Sequence, residues 1–583
     1  MASFTMPNPF LAKSSQISLT KRPSTTHGFK NFTCKATNGE ENPKDELIKS
    51  SRFDRRDLLV GLGGLYGATS LSSNPSAFAS PVRAPDLSTC DEETVQQIIG
   101  NSATRCCPPL SKTMVDFKLP KPGTIRVRPA AHLVDKAYEA KFKKALELMK
   151  ALPDDDPRSF TQQAKIHCAY CSYAYDQIGL PDELVSAHGS WLFFPFHRWY
   201  LYFFERILGK LIDDPTFAMP FWNWDSAGGM SMPSMYTDPK SPLYDKVRDA
   251  VHVAPGAMVD LDYGGTDEKI TKEQQLKQNL TIMYTAMVSG SSSAKLFLGD
   301  PYESGKNVEQ SGGGRFESVP HGPVHMWVGD RKQPPGLNMG ALYSAGRDPV
   351  FYAHHSNCDR LWNVWKTLGG NRKDFSHKDW LDSEFAFYDE NAQLVKVKVG
   401  DCLDSKKLGY VYQDVELEWL GKRPTPRVKR VLDKFRKKDV ARAADFPVVR
   451  DVFPIKLDKV TKVLVHRPKK NRTKKEKAKD EEILVIEGIE VEVEAFVKFD
   501  VFINDEDEAA SAPDKTEFAG SFVNLPHKHK HGKTMKTRLK LALNDLLEDL
   551  GAEDDDNVLV TLVPKPGSTC FVNIRNIKIE LDD

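Results

Sequence analysis

The chain has almost no net charge: 81 Lys and Arg stand against 80 Asp and Glu, leaving +1 at neutral pH. That balance removes any electrostatic case for nucleic acid or an anionic membrane surface as partner. It also has no apolar run of the roughly 20 residues that a spanning helix needs, so no stable membrane span is expected. The run Leu58 to Ala68 is too short. No internal repeat is present, which argues against a solenoid or array. From Met1 to Gly39 acidic residues are missing altogether, while Ser, Thr, Lys and Arg abound. That stretch has the composition of an organelle transit peptide and not of a folded core.

After it comes Asp54-Arg55-Arg56-Asp57, then the short apolar run, then Ala77-Phe78-Ala79. A twin arginine, a short hydrophobic region and an A-x-A site form a second export signal. Two signals in series imply import into a plastid and transfer into the thylakoid lumen, with residues 1–79 removed. A lumenal destination permits disulfides, and Cys90, Cys106, Cys107 and Cys168 lie early in the mature chain. Vicinal Cys106 and Cys107 cannot easily pair with each other, so each is expected to take a separate partner.

A length of 583 residues exceeds what one core usually serves, so more than one folded unit is expected. Residues 80–122 are rich in Pro, Cys and Ser and read as an extended arm stapled onto a core. Apolar spacing predicts helices over Ala131 to Leu152, Phe160 to Ile178 and Phe196 to Ile212, and helical character over Val319 to Val328 and Asp348 to Leu368. Lys422 to Arg430 is basic and proline-bearing, which marks a linker. Beyond about Phe446 the pattern favours strands: Lys459 to Val465, Ile483 to Val493, Phe496 to Ile503, Val558 to Val563 and Cys570 to Leu581. Arg467 to Glu482, dense in Lys and Glu, reads as a solvated loop and a possible protease target.

Two groups of histidines carry the chemistry. The first is His167, His188 and His197; the second is His321 and His325 followed by the pair His354-His355. His321 and His325 are four apart, so on a helix their rings share a face and can share one ion. Imidazole alone suits copper, zinc, iron and nickel. The discriminating feature is that no carboxylate stands at ligand spacing. Six neutral imidazoles around two ions resemble a coupled dicopper centre, because Cu(I) tolerates low-charge nitrogen sites and can give electrons to O2. His132, His252, His377 and His466 are read as packing or surface residues. His527-Lys528-His529-Lys530-His531 is read as an exposed loop or edge strand.

The segments His167-Cys168-Ala169-Tyr170-Cys171, His188-Gly189-Ser190-Trp191-Leu192-Phe193-Phe194-Pro195-Phe196-His197 and Asp348-Pro349-Val350-Phe351-Tyr352-Ala353-His354-His355-Ser356-Asn357 resemble the copper-binding segments of the plant polyphenol oxidases. These are the catechol oxidases and tyrosinases of the type-3 copper class. Asp379-Trp380-Leu381, Tyr410-Val411-Tyr412 and Lys498-Phe499-Asp500-Val501 extend the resemblance across essentially the whole chain. It implies a mainly α catalytic domain with a four-helix-bundle dicopper core over residues 80–422. A linker over 423–445 and a β-sandwich shielding domain over 446–583 follow.

The resemblance assigns one copper to His167, His188 and His197 and the other to His321, His325 and His355, with His354 behind the ligands. It implies a thioether between Cys171 and His188, and disulfides Cys90–Cys107 and Cys106–Cys168. Glu317 and Asn357 match a pair that holds a water, and Glu317-bound water is a candidate base for a phenol proton. Leu342 stands where many relatives carry a Phe gate, a departure that should open the entrance. Gly322 and Met326 follow the first two ligands of the second copper and bear on monophenol hydroxylation; neither is polar, which favours diphenolase activity. Phe193, Phe194, Phe196 and Trp327 are expected to wall the site, and Cys358 to be core packing. The implied reaction is O2-dependent oxidation of o-diphenols to o-quinones with O2 reduced to water. It is held latent until an activating protease, detergent or acid displaces the C-terminal domain. A tyrosinase, a specialised biosynthetic oxidase of the aurone-synthase kind, an O2 carrier and a dizinc hydrolase are the rivals.

Overall fold

The protein was analysed as a computed structural model that describes residues 80–90, 97–99, 102–104, 106–121, 123–306, 311–332, 336–426, 446–505, 512–528, 532–567 and 572–582. All of them fall within one unit, Phe78–Asp583. The proposed transit segment and most of the linker lie outside the described residues. Among the described residues no helix is long and apolar enough to cross a membrane.

Asp135 caps helix α1 (Lys136–Lys150), accepting from the Tyr138 N–H at 2.7 Å. The apolar spacing predicts a start at Ala131; the cap moves it to Lys136, because Asp135 takes the extended backbone a cap requires. Ser159 caps α2 (Phe160–Cys171) in the same way. Helix α3 (Phe193–Leu211) holds Pro195 in its first turn, where a missing N–H costs nothing. It is buried on nearly every face, which makes it a central helix. Helices α4 (Lys272–Tyr284), α5 (Gly322–Val328) and α6 (Val350–Thr367) follow.

The helical pattern over Val319 to Val328 is broken. Val319 is extended (φ −143°, ψ 123°) and regular α-helix starts at Gly322. Pro320 is the reason, since the residue before a proline is driven out of the helical region.

The N-terminal arm is stapled as expected: Cys90 is bonded to Cys107, and Cys106 to Cys168 on α2. Strands β1 (Val115–Asp116) and β2 (Arg126–Arg128) tie it further. The first pairs in parallel with β4 (Leu394–Lys398), itself antiparallel to β3 (Glu384–Tyr388); the second pairs with β5 (Tyr410–Tyr412).

Beneath the central helices lies a buried ionic network. Arg128 meets Glu205 at 2.8 Å and Asp359 at 3.4 Å, Arg198 also pairs with Asp359, and Tyr410 donates to Asp359 at 2.6 Å. Burial alone would raise the Asp359 carboxyl, but the guanidinium groups of Arg198 and Arg128 hold it below the usual range. Arg198 follows His197 on α3 and Asp359 lies one turn after His355 on α6, so this network fixes the two helices against each other.

The C-terminal lobe contains β6 (Ile455–Lys456), β7 (Thr461–His466), β8 (Glu481–Glu492), β9 (Val497–Ile503), β10 (Phe518–Asn524), β11 (Thr534–Ala542), β12 (Asn557–Pro564) and β13 (Val572–Asp582). They form two four-stranded antiparallel sheets, ordered β6-β13-β8-β11 and β7-β12-β9-β10. Leu484, Ile486 and Val491 of one sheet and Val501, Val560 and Leu562 of the other share one apolar cluster.

Strands β10 and β11 escape the sequence pattern. Gly520 and Ser521 dilute the first, and Lys536, Arg538 and Lys540 charge the second. The stretch Arg467 to Glu482 is largely exposed, as expected, but it is not all loop and its ends are buried. Thr473 and Glu476 form a capping box that starts helix α7 (Lys474–Lys479), and Arg467 is buried against Glu482 at 2.8 Å. The pair is hidden because charge density reads as exposure when its partner lies fifteen residues away.

Replacing Asp359 by Asn leaves two buried guanidinium groups short of charge. It is expected to destabilise the protein by about 3–5 kcal/mol, read as a lower thermal or urea midpoint of the full chain.

Candidate metal centre

His167 projects from α2 and His197 from α3, with His188 on the loop between them; His321 immediately precedes α5, His325 lies within it, and His354 and His355 sit on α6. The ligand atoms of His167, Cys171, His188 and His197 lie within 4.8 Å of one another, as do those of His321, His325, His354 and His355. The two groups abut. The rings of His197 and His355 are stacked 4.0 Å apart at 8°, and those of His188 and His321 are 5.9 Å apart.

Backbone carbonyls orient the rings. Nδ1 of His167 faces Leu342 O at 3.0 Å, that of His197 Phe193 O at 2.7 Å, that of His321 Glu317 O at 3.0 Å and that of His325 Met339 O at 2.8 Å. A carbonyl only accepts, so each Nδ1 carries the proton and each Nε2 is left with a lone pair. Nε2 of His167, His197 and His321 is buried with no protein partner. Nε2 of His325 and His355 are 3.2 Å apart. Two imidazole nitrogens sharing one ion at about 2.0 Å in tetrahedral-like geometry have about that separation.

His354 differs from its neighbour. Its Nδ1 accepts from the Trp224 indole N–H at 3.1 Å, which puts its proton on Nε2, 3.9 Å from Cys358 Sγ. Neither nitrogen offers a free lone pair. His355 keeps an unpartnered Nδ1 and an Nε2 aimed at the group. Burial pushes all seven imidazoles down, reinforced by neighbouring rings at all but His325, with His197 at about 3 and His325 at about 4, so they are neutral, as metal binding requires. His188 has both nitrogens buried and unpartnered, beside the buried Cys171. This donor set fits two copper ions.

Phe193 stands 4.7 Å from the ring of His321 and 4.8 Å from that of His197. Phe351 stands 4.3 Å from His355 and 4.6 Å from His167. Of the expected aromatic wall, Phe193 is at the rings and Phe196 touches His197 from behind, at 5.1 Å. Phe194 turns away onto Phe297, and Trp327 stacks on His252. Those two are core, because neighbours along a helix diverge by 100°. Phe351 was legible after all, four residues before His355 and so on the same face.

Over the rings lies a cavity of about 100 Å³. From the helical lobe Tyr173, Gly189, Glu317, Gly322 and Leu342 line it; Phe522, Val523, Leu525 and His527 close it from the C-terminal lobe. A Cβ on Gly322 would lie 2.9 Å from Val523 Cγ1, so Val523 occupies the space beside His321 that Gly322 leaves. The Leu342 N–H donates to Pro526 O at 2.9 Å. His527, expected to be exposed, is 3 % exposed and packs against Tyr173 at 5.4 Å. The flanking lysines mislead here, since docking onto the helical lobe buries the ring; His529 and His531 lie outside the described residues.

Glu317 accepts from the Gly189 N–H at 2.9 Å through one oxygen, while the other is buried without a partner, and burial pushes the group up to about 8. The Asn357 amide N–H donates to Asp225 at 2.9 Å and its oxygen accepts from Arg360 at 2.9 Å. Met326 lies against Gly340, 3.2 Å from the position of an added Cβ. Cys358 is buried core.

Residues 157–368 match the common central domain of tyrosinase, 374–425 the polyphenol oxidase middle domain and 453–581 the chloroplastic polyphenol oxidase C-terminal domain. A chloroplastic polyphenol oxidase of Malus domestica is 56% identical over 580 residues, 98% of this chain and 96% of its own. Aureusidin synthase of Antirrhinum majus is 55% identical over 536 residues, 90% of this chain and 93% of its own. The structure of a latent apple tyrosinase aligns with TM-score 0.76 at 59% identity, covering 81% of this chain and 100% of that one.

The contrast between the paired histidines is testable by metal analysis. His355→Ala is expected to lower bound copper from two ions per chain toward one, whereas His354→Asn keeps both.

Proposed function

As the chain belongs to the plant polyphenol oxidases of the type-3 copper family, we propose that His167, His188 and His197 hold one copper and His321, His325 and His355 the other, in an oxidase acting on o-diphenols. The protein is a polyphenol oxidase with a dinuclear copper centre. The observation that carries the ligand assignment is the set of neutral, buried imidazoles, four of them (His167, His197, His321 and His325) with Nδ1 tied to a backbone carbonyl, and His188 and His355 with nitrogens left unpartnered beside them. When bound, the coppers exchange electrons between O2 and the diphenol, giving an o-quinone and water.

The chain's own residues supply the rest. The carbonyls of Leu342, Phe193, Glu317 and Met339 hold the rings in place, and Phe193 and Phe351 keep water from their flanks. Gly322 leaves room for a phenol ring where a side chain would block it. Glu317, pushed up to about 8 with one oxygen unpartnered, is suited to take and return a proton near neutral pH. Asn357 has one amide hydrogen left for a shared water. With Gly322 and Met326 apolar, diphenol oxidation is favoured over monophenol hydroxylation. The aureusidin synthase likeness and the small Leu342 favour a flavonoid-like phenol as the second reading. Cys171, buried beside His188, is assigned the thioether; the peptides carrying the two should stay joined after reduction.

The ligand-bearing helices α2, α3, α5 and α6 are read as a four-helix-bundle core within residues 80–422, and the two C-terminal sheets as a β-sandwich within 446–583. Residues 1–79 are assigned to delivery into the thylakoid lumen; relatives are named chloroplastic. Latency follows from Val523 seated on Gly322. The C-terminal lobe has to leave before a phenol can enter, and protease cleavage near 423–445 releases it. The lobe is held by ion pairs: Asp300 with Arg538 at 2.7 Å and Lys540 at 2.6 Å, and Asp262 with Lys498 at 3.0 Å.

Oxygen consumption on catechol by the copper-loaded chain, before and after cleavage in the linker, tests this reading. A faster rate after cleavage is expected, and equal rates would remove the shielding role. Asp300→Asn, which removes the negative charge facing two cations, is expected to raise the rate of the uncleaved chain about tenfold or more.

A further inference from the structure

Arg315 is the anomaly of the interface between the two lobes. It is 2 % exposed, and none of its three guanidinium nitrogens has a hydrogen-bond partner. The Phe518 ring lies 5.8 Å from the guanidinium carbon, but a ring face supplies no hydrogen-bond acceptor, and a buried cation without one is strongly unfavourable. The carboxylates nearest in charge are already engaged. Asp500 pairs with Lys498 at 2.6 Å and Lys565 at 2.7 Å, and Asp262 with Lys498 at 3.0 Å.

The guanidinium is seated on Gly520 of β10, where a Cβ would lie 2.6 Å from Nη1 and 2.7 Å from Leu541 Cδ2 of β11. Both strands run from there to the copper-site cavity, which Phe522 and Leu539 line. Each step is two residues of strand, or about 7 Å. Gly313, two residues before Arg315, lines the same cavity, and no Lys or Arg among the described residues lines it from the helical lobe. Gly520, Phe518, Leu541, Lys498, Asp500 and Lys565 all belong to the C-terminal lobe and leave with it.

We propose that Arg315 is a substrate-binding residue of the opened protein, its guanidinium bordering the mouth of the copper site and pairing with the carboxylate of an o-diphenol that bears an acidic side chain. Arginine presents parallel N–H groups that match a carboxylate in two hydrogen bonds. Asp262 also remains when Lys498 departs, but in the opened protein it competes only as a water-screened surface pair, which is weak. The inference rests on the oxidase reading above and adds a preference within the o-diphenols.

The test compares kcat/KM for dihydrocaffeic acid and its methyl ester on the full-length, copper-loaded chain. The ratio is independent of how much of the protein is open. The acid is expected to be preferred by about tenfold, with the ratio falling toward unity in Arg315→Gln and largely kept in Arg315→Lys. Raising the salt concentration should lower the ratio of the unaltered chain, a measurement that needs no variant. Ester oxidised with no preference for the acid, or the same ratio in Arg315→Gln, overturns the assignment and leaves the oxidase intact. Failure to oxidise either compound even after detergent or cleavage in the linker has displaced the C-terminal lobe overturns both.

Discussion

The site depends on one constraint: imidazole rings are tied by their Nδ1–H to backbone carbonyls. A histidine free to flip or change tautomer would offer its lone pair in either of two directions. With the carbonyls of Leu342, Phe193, Glu317 and Met339 accepting from four rings, the inward nitrogen is the unprotonated one. Two of those carbonyls, from Phe193 and Glu317, lie one turn before the ring they hold. Helical geometry itself orients His197, whereas the Glu317 carbonyl reaches His321 across the extended Val319. The other two come from the segment around Met339 to Leu342, so that stretch is as much part of the centre as the helices are. The Asp359 network extends this constraint, clamping α3 to α6 behind His197 and His355.

The second organising feature is that the protein fills its own site. Gly322 creates room beside His321 and Val523 of the C-terminal lobe takes it. Leu525 joins the apolar core of the helical lobe, while Asp300, Asp262 and their cationic partners hold the periphery. Apolar contact gives this closure its strength and the ion pairs give it register. Against this, the lone Arg315 charge opposes docking.

Much of the centre was legible in the linear chain. The histidines, their division into two groups and the helical face shared by His321 and His325 follow from spacing, and the element order follows from apolar periodicity. Three features were not. Pro320 displaced the start of α5, which a window of apolar residues overlooks. Strand β10 lacks apolar alternation because it is buried on both sides, and in β11 the charges of Lys536, Arg538 and Lys540 mask the alternate Met535, Leu539 and Leu541 that face the core. Arg467, Glu482 and His527 looked solvated because each finds its burial through partners far away in the sequence.

The sequence by itself determined the donor chemistry, since six neutral imidazoles without a ligand carboxylate narrow the metal and the reaction before any fold is known. It also determined the order of helices and most strands, which local periodicity encodes. Tertiary structure alone decided which of two adjacent histidines keeps a free lone pair, because that depends on the Trp224 indole 130 residues from His354. It alone decided that Val523 closes the cavity and that Arg315 stands without a hydrogen-bond partner. Both are properties of surfaces brought together from distant segments, and no local pattern carries that information.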